Sequence, residues 1–68
     1  MSPIQLIIFR MNGSLYLTDY TIYKAICNGR IEKLEGITTY DEAAIHVCKE
    51  KSWWIDKISD ETDTEIIL

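Results

Sequence analysis

The sequence predicts an α+β domain in which one helix covers one face of an antiparallel sheet, with its elements in the order β-β-β-α-β. Three observations lead there. Two Asn-Gly pairs, Asn12-Gly13 and Asn28-Gly29, stand between runs rich in strand-forming residues. Thr39-Tyr40-Asp41-Glu42 is a capping box that opens an apolar stripe of helical spacing. Beyond it, Ser52 to Ile58 alternates as a strand.

The first strand is the run from Ile4 to Phe9, apolar at nearly every position and so expected to be buried on both sides. Asn12-Gly13 suits the two positive φ values of a type I′ turn, which returns the chain as "SLYLT" and sets Phe9 beside Tyr16 and Ile8 beside Leu17. Asp19 to Cys27 reads as a third strand, because Tyr20, Thr21, Ile22 and Tyr23 favour β structure and "CNGR" repeats the turn chemistry of "MNGS". That hairpin pairs Ile26 with Ile31 and Tyr23 with Leu34. The alternative is a short helix, with Asp19 as N-cap and Asn28-Gly29 as its stop.

After Gly36, the Thr39 hydroxyl is placed to accept the Glu42 amide, and Asp41 and Glu42 complement the helix dipole. Tyr40, Ala43, Ala44, Val47 and Cys48 form the apolar stripe, and Lys49 to Lys51 finish the helix. In the last strand Trp53, Ile55 and Lys57 share one side and Trp54, Asp56 and Ile58 the other, with Trp53 and Ile55 expected to face the helix. Residues 1–58 are thus expected to form a single domain. Residues 59–68 read as an acidic C-terminal tail, or as a short edge strand through Ile66, Ile67 and Leu68. One helix covers one face of a sheet, so the doubly apolar first strand implies that a second copy or a partner covers the other.

With 68 residues, the chain lies near the lower size at which a domain folds without metal or disulfide. At about 0.05–0.15 kcal/mol per residue, its stability is expected to be roughly 3–10 kcal/mol. Its start lacks the basic n-region of a secretion signal, and no apolar run is long enough to span a bilayer, so a cytoplasmic setting is expected. Cys27 and Cys48 are then read as buried free thiols.

The net charge of −4 is unevenly placed. Up to Ile55, acids and bases balance. The excess belongs to the remainder, where Asp56, Asp60, Glu61, Asp63 and Glu65 face Lys57 alone. This disfavours direct contact with nucleic-acid phosphates and suits a basic protein surface. Site chemistry is sparse. His46, the one imidazole, lies off the helical stripe, and two residues from it Cys48 points elsewhere. Asp41 and Glu42 serve as caps, and the three glycines occupy turns and form no phosphate-binding motif. No enzymatic activity, cofactor or metal is expected. Trp53 and Trp54, adjacent on a strand, point to opposite faces, so one leaves the helix-covered side; Trp54, beside Asp56, is the aromatic anchor with an acidic rim. The candidate partner-binding residues are Trp54, Asp56, Asp60, Glu61, Asp63 and Glu65.

From Tyr23 to Ile58, the strand, Asn-Gly, charged strand, "TTYDEAA" helix start and final strand resemble a pattern in small phage-encoded inhibitors, such as anti-CRISPR proteins and inhibitors of host RNA polymerase. The resemblance implies an acidic, single-domain, non-enzymatic protein in the host cytoplasm. It implies an inhibitor or adaptor that occupies a basic surface of a larger nucleic-acid-handling protein. Two other readings compete with it. One is a homodimeric nucleic-acid-binding regulator presenting Lys24, Arg30 and Lys33, which needs Asp19–Cys27 to be a helix. The other is a small structural subunit of an assembly.

Overall fold

The structure, a computed structural model, describes residues 4–51 and 55–67. Its elements are β1 (Ile4–Met11), β2 (Ser14–Thr18), α1 (Ile22–Asn28), β3 (Glu32–Lys33), α2 (Tyr40–Lys51) and β4 (Ile55–Ile66). The fold is α+β, and the four strands form a sheet in the order β3-β2-β1-β4.

β1 and β2 make the expected hairpin. Asn12 (φ 50°) and Gly13 (φ 83°) both adopt the left-handed region, and the register pairs Phe9 with Tyr16 and Ile8 with Leu17. On one face of this hairpin, Leu6, Ile8, Leu15 and Leu17 join Leu34 and the Ala43 and Val47 side chains of α2 in the main core, with Ile37, Tyr40, Ile55 and Ile58 packed around it. The small Ala43 lets the helix lie close to the strands. On the other face, Phe9 stacks on Tyr16 with ring centroids 5.7 Å apart.

Four expectations are corrected. First, Tyr20 to Cys27 is not a strand, and Ile26–Ile31 and Tyr23–Leu34 are not cross-strand pairs: Ile22–Asn28 is a helix. Its N-cap is Thr21 rather than Asp19, and Gly29 (φ 68°) ends it in the left-handed conformation. The Gly29 and Arg30 amides donate to the Ile26 and Ala25 carbonyls, satisfying the end of the helix. The Asn-Gly dipeptide thus makes a hairpin turn once and a helix stop once. Without its hairpin partner, the strand expected after Asn28-Gly29 shrinks to Glu32–Lys33 and pairs with β2 instead.

Second, the sheet is mixed and two helices flank its strands, because β4 runs parallel to β1. Parallel strands need a crossover that carries the chain back to the end of the sheet from which it came, commonly a helix. β3-α2-β4 is such a crossover, and it passes over β2 and β1.

Third, the simple alternation expected of the last strand is broken. The register with β1 shifts between Ile4/Gln5 and again between Phe9/Arg10. The first shift makes Asp56 an extra residue, so Ile55 and Ile58, expected on opposite sides, both pack against the core. Residues 59–66, read as a tail, continue β4, and Ile66 pairs with Met11. Trp53, Trp54 and Leu68 lie outside the described residues.

Fourth, both cysteines are exposed. α2 buries the narrow row Ala43–Val47, which leaves Cys48 on its flank, and α1 turns Ala25 inward and Cys27 out. The second sheet face also differs from expectation: Phe9 and Met11 are 0% and 6% exposed within the single chain. Among the described residues the exposed large apolar side chains are Tyr20, Tyr23, Ile45 and Ile67, none of them on β1 or β2. No described helix is long and apolar enough to cross a membrane.

Ile8 is fully buried at the centre of the sheet. Replacing it with alanine is expected to cost about 2–5 kcal/mol, a large share of the roughly 3–10 kcal/mol available. Chemical denaturation should show a clearly lowered midpoint at unchanged slope; a shift of under about 1 kcal/mol would mean that the core is centred elsewhere.

Candidate interaction edge

β4 brings together most of the residues singled out by their charge. Asp56, Asp60, Glu61, Asp63 and Glu65 all lie on it and all are exposed, with Lys57 the single cation in their midst. Trp54, the proposed anchor, lies outside the described residues. The strand occupies one edge of the sheet, with β1 as its neighbour on the inner side. The ion pairs among the described residues are Arg30–Asp19, Lys33–Glu35 and Lys51–Glu32, and all lie away from β4. The acids of β4 therefore make no ion pair among the described residues, and Arg10, the register partner of Glu65, is the cation beside them on β1.

Two local devices shape this strand. The Asp60 carboxylate accepts the Thr62 amide at 3.0 Å and the Thr62 hydroxyl at 2.6 Å. This small turn closes on Thr62 where the second register shift begins, so that Phe9 pairs with Glu61 and Arg10 with Glu65. The Thr62 hydroxyl, followed by its amide, holds the Asp60 carboxyl below its usual range. The other device is the Tyr40 hydroxyl, which donates to the Ile58 carbonyl at 3.3 Å and ties the first turn of α2 to β4. Burial, reinforced by the charge of Asp60, raises the Tyr40 phenol above its ordinary value of 10.0. Half of the capping box operates as expected: the Thr39 hydroxyl accepts the Glu42 amide at 3.3 Å.

The segment from Asp19 to Arg30, which spans α1, brings aromatic and basic side chains together. Arg30 lies 5.4 Å from the centre of the Tyr20 ring and bonds both carboxylate oxygens of Asp19 at 3.3 Å. The buried Thr18 hydroxyl donates to the Arg30 carbonyl at 2.8 Å, which fastens the exit of α1 to the end of β2. Tyr23, 74% exposed, and Lys24 project from α1. Between α2 and the loop after α1 lies a cleft of about 540 Å³ with Leu6, Leu17 and Ile55 in its wall. The charges at its rim are already matched, Arg30 with Asp19 and Lys51 with Glu32. Neither cysteine lines it, and nor does His46, which is exposed on α2.

Sequence reasoning missed the turn at Asp60 and the tether at Tyr40. The Asp-x-Thr spacing was a visible signal for the first; the second depends on the crossover and had none. Compared with protein-family models, with curated proteins and with solved structures, the chain finds no match.

Two outcomes follow from the geometry. Thr62→Val removes the larger of the two hydrogen-bonding influences on Asp60, so its pKa should rise toward 3.8, as read by carboxyl NMR titration. In the parent protein, the stability linked to this group is present above the ordinary carboxylate range and is lost as pH falls through the depressed value. Tyr40→Phe should cost about 0.5–1 kcal/mol. The stability linked to the Tyr40 phenol is complete below pH 10.0 and is lost as pH rises through its raised pKa. The phenylalanine variant should lack that alkaline loss in denaturant melts at pH 8 to 11.

Proposed function

We propose that this chain is a non-enzymatic protein-binding inhibitor or adaptor that offers the β4 edge to a basic surface of a larger protein. One observation carries the reading: the excess negative charge of the chain is gathered on a single exposed edge strand, with no ion-pairing cation from the rest of the described residues. Acids along an edge also discourage unwanted strand pairing. Here five acids stand within ten residues of sequence, a concentration beyond a single protective charge. Concentrated charge of one sign speeds encounter with an oppositely charged partner and sets its orientation. A surface that normally holds nucleic acid has the matching charge.

The nucleic-acid-binding regulator gains one observation, since Ile22–Asn28 is helical. Yet Lys24 is the single cation on that helix, and Arg30 and Lys33 each pair with an acid. Phosphate recognition needs several cations together, so the acidic edge supports the protein-binding reading better.

The variant Asp60→Asn, Glu61→Gln, Asp63→Asn, Glu65→Gln tests the choice. Basic proteins captured from a bacterial lysate by the parent chain at low salt should bind the variant on the order of tenfold more weakly, four exposed charges at a few tenths of a kcal/mol each. Raising salt should weaken the parent in the same direction. Capture unchanged by both would overturn the reading, and tight binding to duplex DNA lost on Lys24→Ala would establish the alternative.

A further inference from the structure

The main chain of β4 adds a property that its charge alone does not have. An edge strand pairs on one side only, and every second residue points its N–H and C=O away from the sheet. β4 is a 12-residue edge, while the opposite edge, β3, has two residues. Between its two register shifts, Lys57 to Glu61 runs in unbroken register with Gln5 to Phe9. The shifts blunt both ends of the edge, and the regular stretch between them has the length of an ordinary strand. Ile58 and Ser59 are half-buried, and the Ile58 carbonyl already accepts the Tyr40 hydroxyl, whereas Lys57, Asp60 and Glu61 are exposed.

We propose that the outer edge of Lys57–Glu61 accepts an extended basic segment of a partner protein as a fifth strand of the sheet. The proposal rests on the basic-partner reading above and specifies how that partner is held. Main-chain hydrogen bonds supply attachment in strand addition, and side chains along the added strand supply selectivity. Here the selecting groups are Asp60 and Glu61 within the window and Asp56, Asp63 and Glu65 at its ends, against Lys57 alone. Lysine or arginine side chains on an added strand meet opposite charge at these positions, and such cross-strand pairs stabilise a sheet. A second copy of this chain is the wrong occupant. Each copy of β4 carries five acids and one lysine, so two such edges approach with the same excess charge and repel over the length of the strand.

The test uses the full chain and two synthetic peptides: an alternating Lys-Val decapeptide, and the same peptide N-methylated at every second residue. The methylated peptide keeps the charge but cannot donate hydrogen bonds along the pairing edge. The change is in the peptide, so folding of the protein is not at stake. Strand addition predicts that the unmodified peptide slows hydrogen exchange of alternate amides between Lys57 and Glu61, and that methylation weakens binding on the order of tenfold or more. Equal binding of both peptides without amide protection would overturn strand addition while leaving the acidic surface as a docking site. If neither peptide binds and the charge-neutralised variant still captures the same basic proteins, the function reading falls and the proposal with it. Protection of the same amides by dimer formation in the absence of peptide would also overturn it, by making a second copy the occupant.

Discussion

The structure depends on a single demand: β1 is apolar on both faces and must be enclosed from every side. Leu6 and Ile8 face the main core, Phe9 and Met11 the reverse, and each is nearly or fully removed from solvent. A strand in that position cannot be an edge, so it needs a neighbour on each flank. The Asn12-Gly13 turn supplies β2 at once. The other flank is filled only by β4, which the α2 crossover returns from the far end of the sequence. α2 then covers the face it has just crossed, and Ala43 and Val47 close the core. Charge follows from the same arrangement. The strand that completes the sheet becomes its exposed edge, and there the acids of the chain collect.

Much of this is legible from residues alone. The hairpin register, the burial of β1, the helix start at Thr39 and the core positions Ala43 and Val47 each follow from short-range rules acting on neighbours. The misreadings share a cause, since each needed knowledge of a distant partner or of competing local signals. At Tyr20 to Tyr23, β propensity pointed to a strand, but Tyr20 and Thr21 precede the helix, and the Gly29 stop with the Thr18–Arg30 bond decides the segment. The direction of β4 depends on the path of α2 across the sheet, since β2 and β3 also flank a helix and yet run antiparallel. Its register shifts depend on packing against β1, and their faint trace was the three-residue spacing of Ile55 and Ile58.

Of the candidate site, the acids were legible as composition but not as geometry. Counting charge located them in the final segment, where a solvated tail and an ordered strand look alike. What distinguishes the two is Ile66 pairing with Met11, together with the Asp60–Thr62 turn that carries the chain from one register to the next. An ordered strand holds its charges at fixed spacing, so a partner meets a defined pattern and not a diffuse cloud. The ordering is also already spent before any partner arrives, which lowers the entropic cost of association.

The pairing of Ile4 with Ile55 and of Met11 with Ile66 joins the first strand of the sheet to the last. During synthesis, the hairpin, α1 and α2 can all form from local contacts, but one flank of β1 stays open until β4 has left the ribosome. Closing so long a loop is the slow step expected of folds rich in distant contacts. For that interval the most apolar strand of the protein has an unpaired edge, the condition under which nascent chains stick to one another. Arrival of β4 ends the exposure and replaces an apolar edge with a charged one, so the same strand that completes the fold also sets the solubility of the finished molecule.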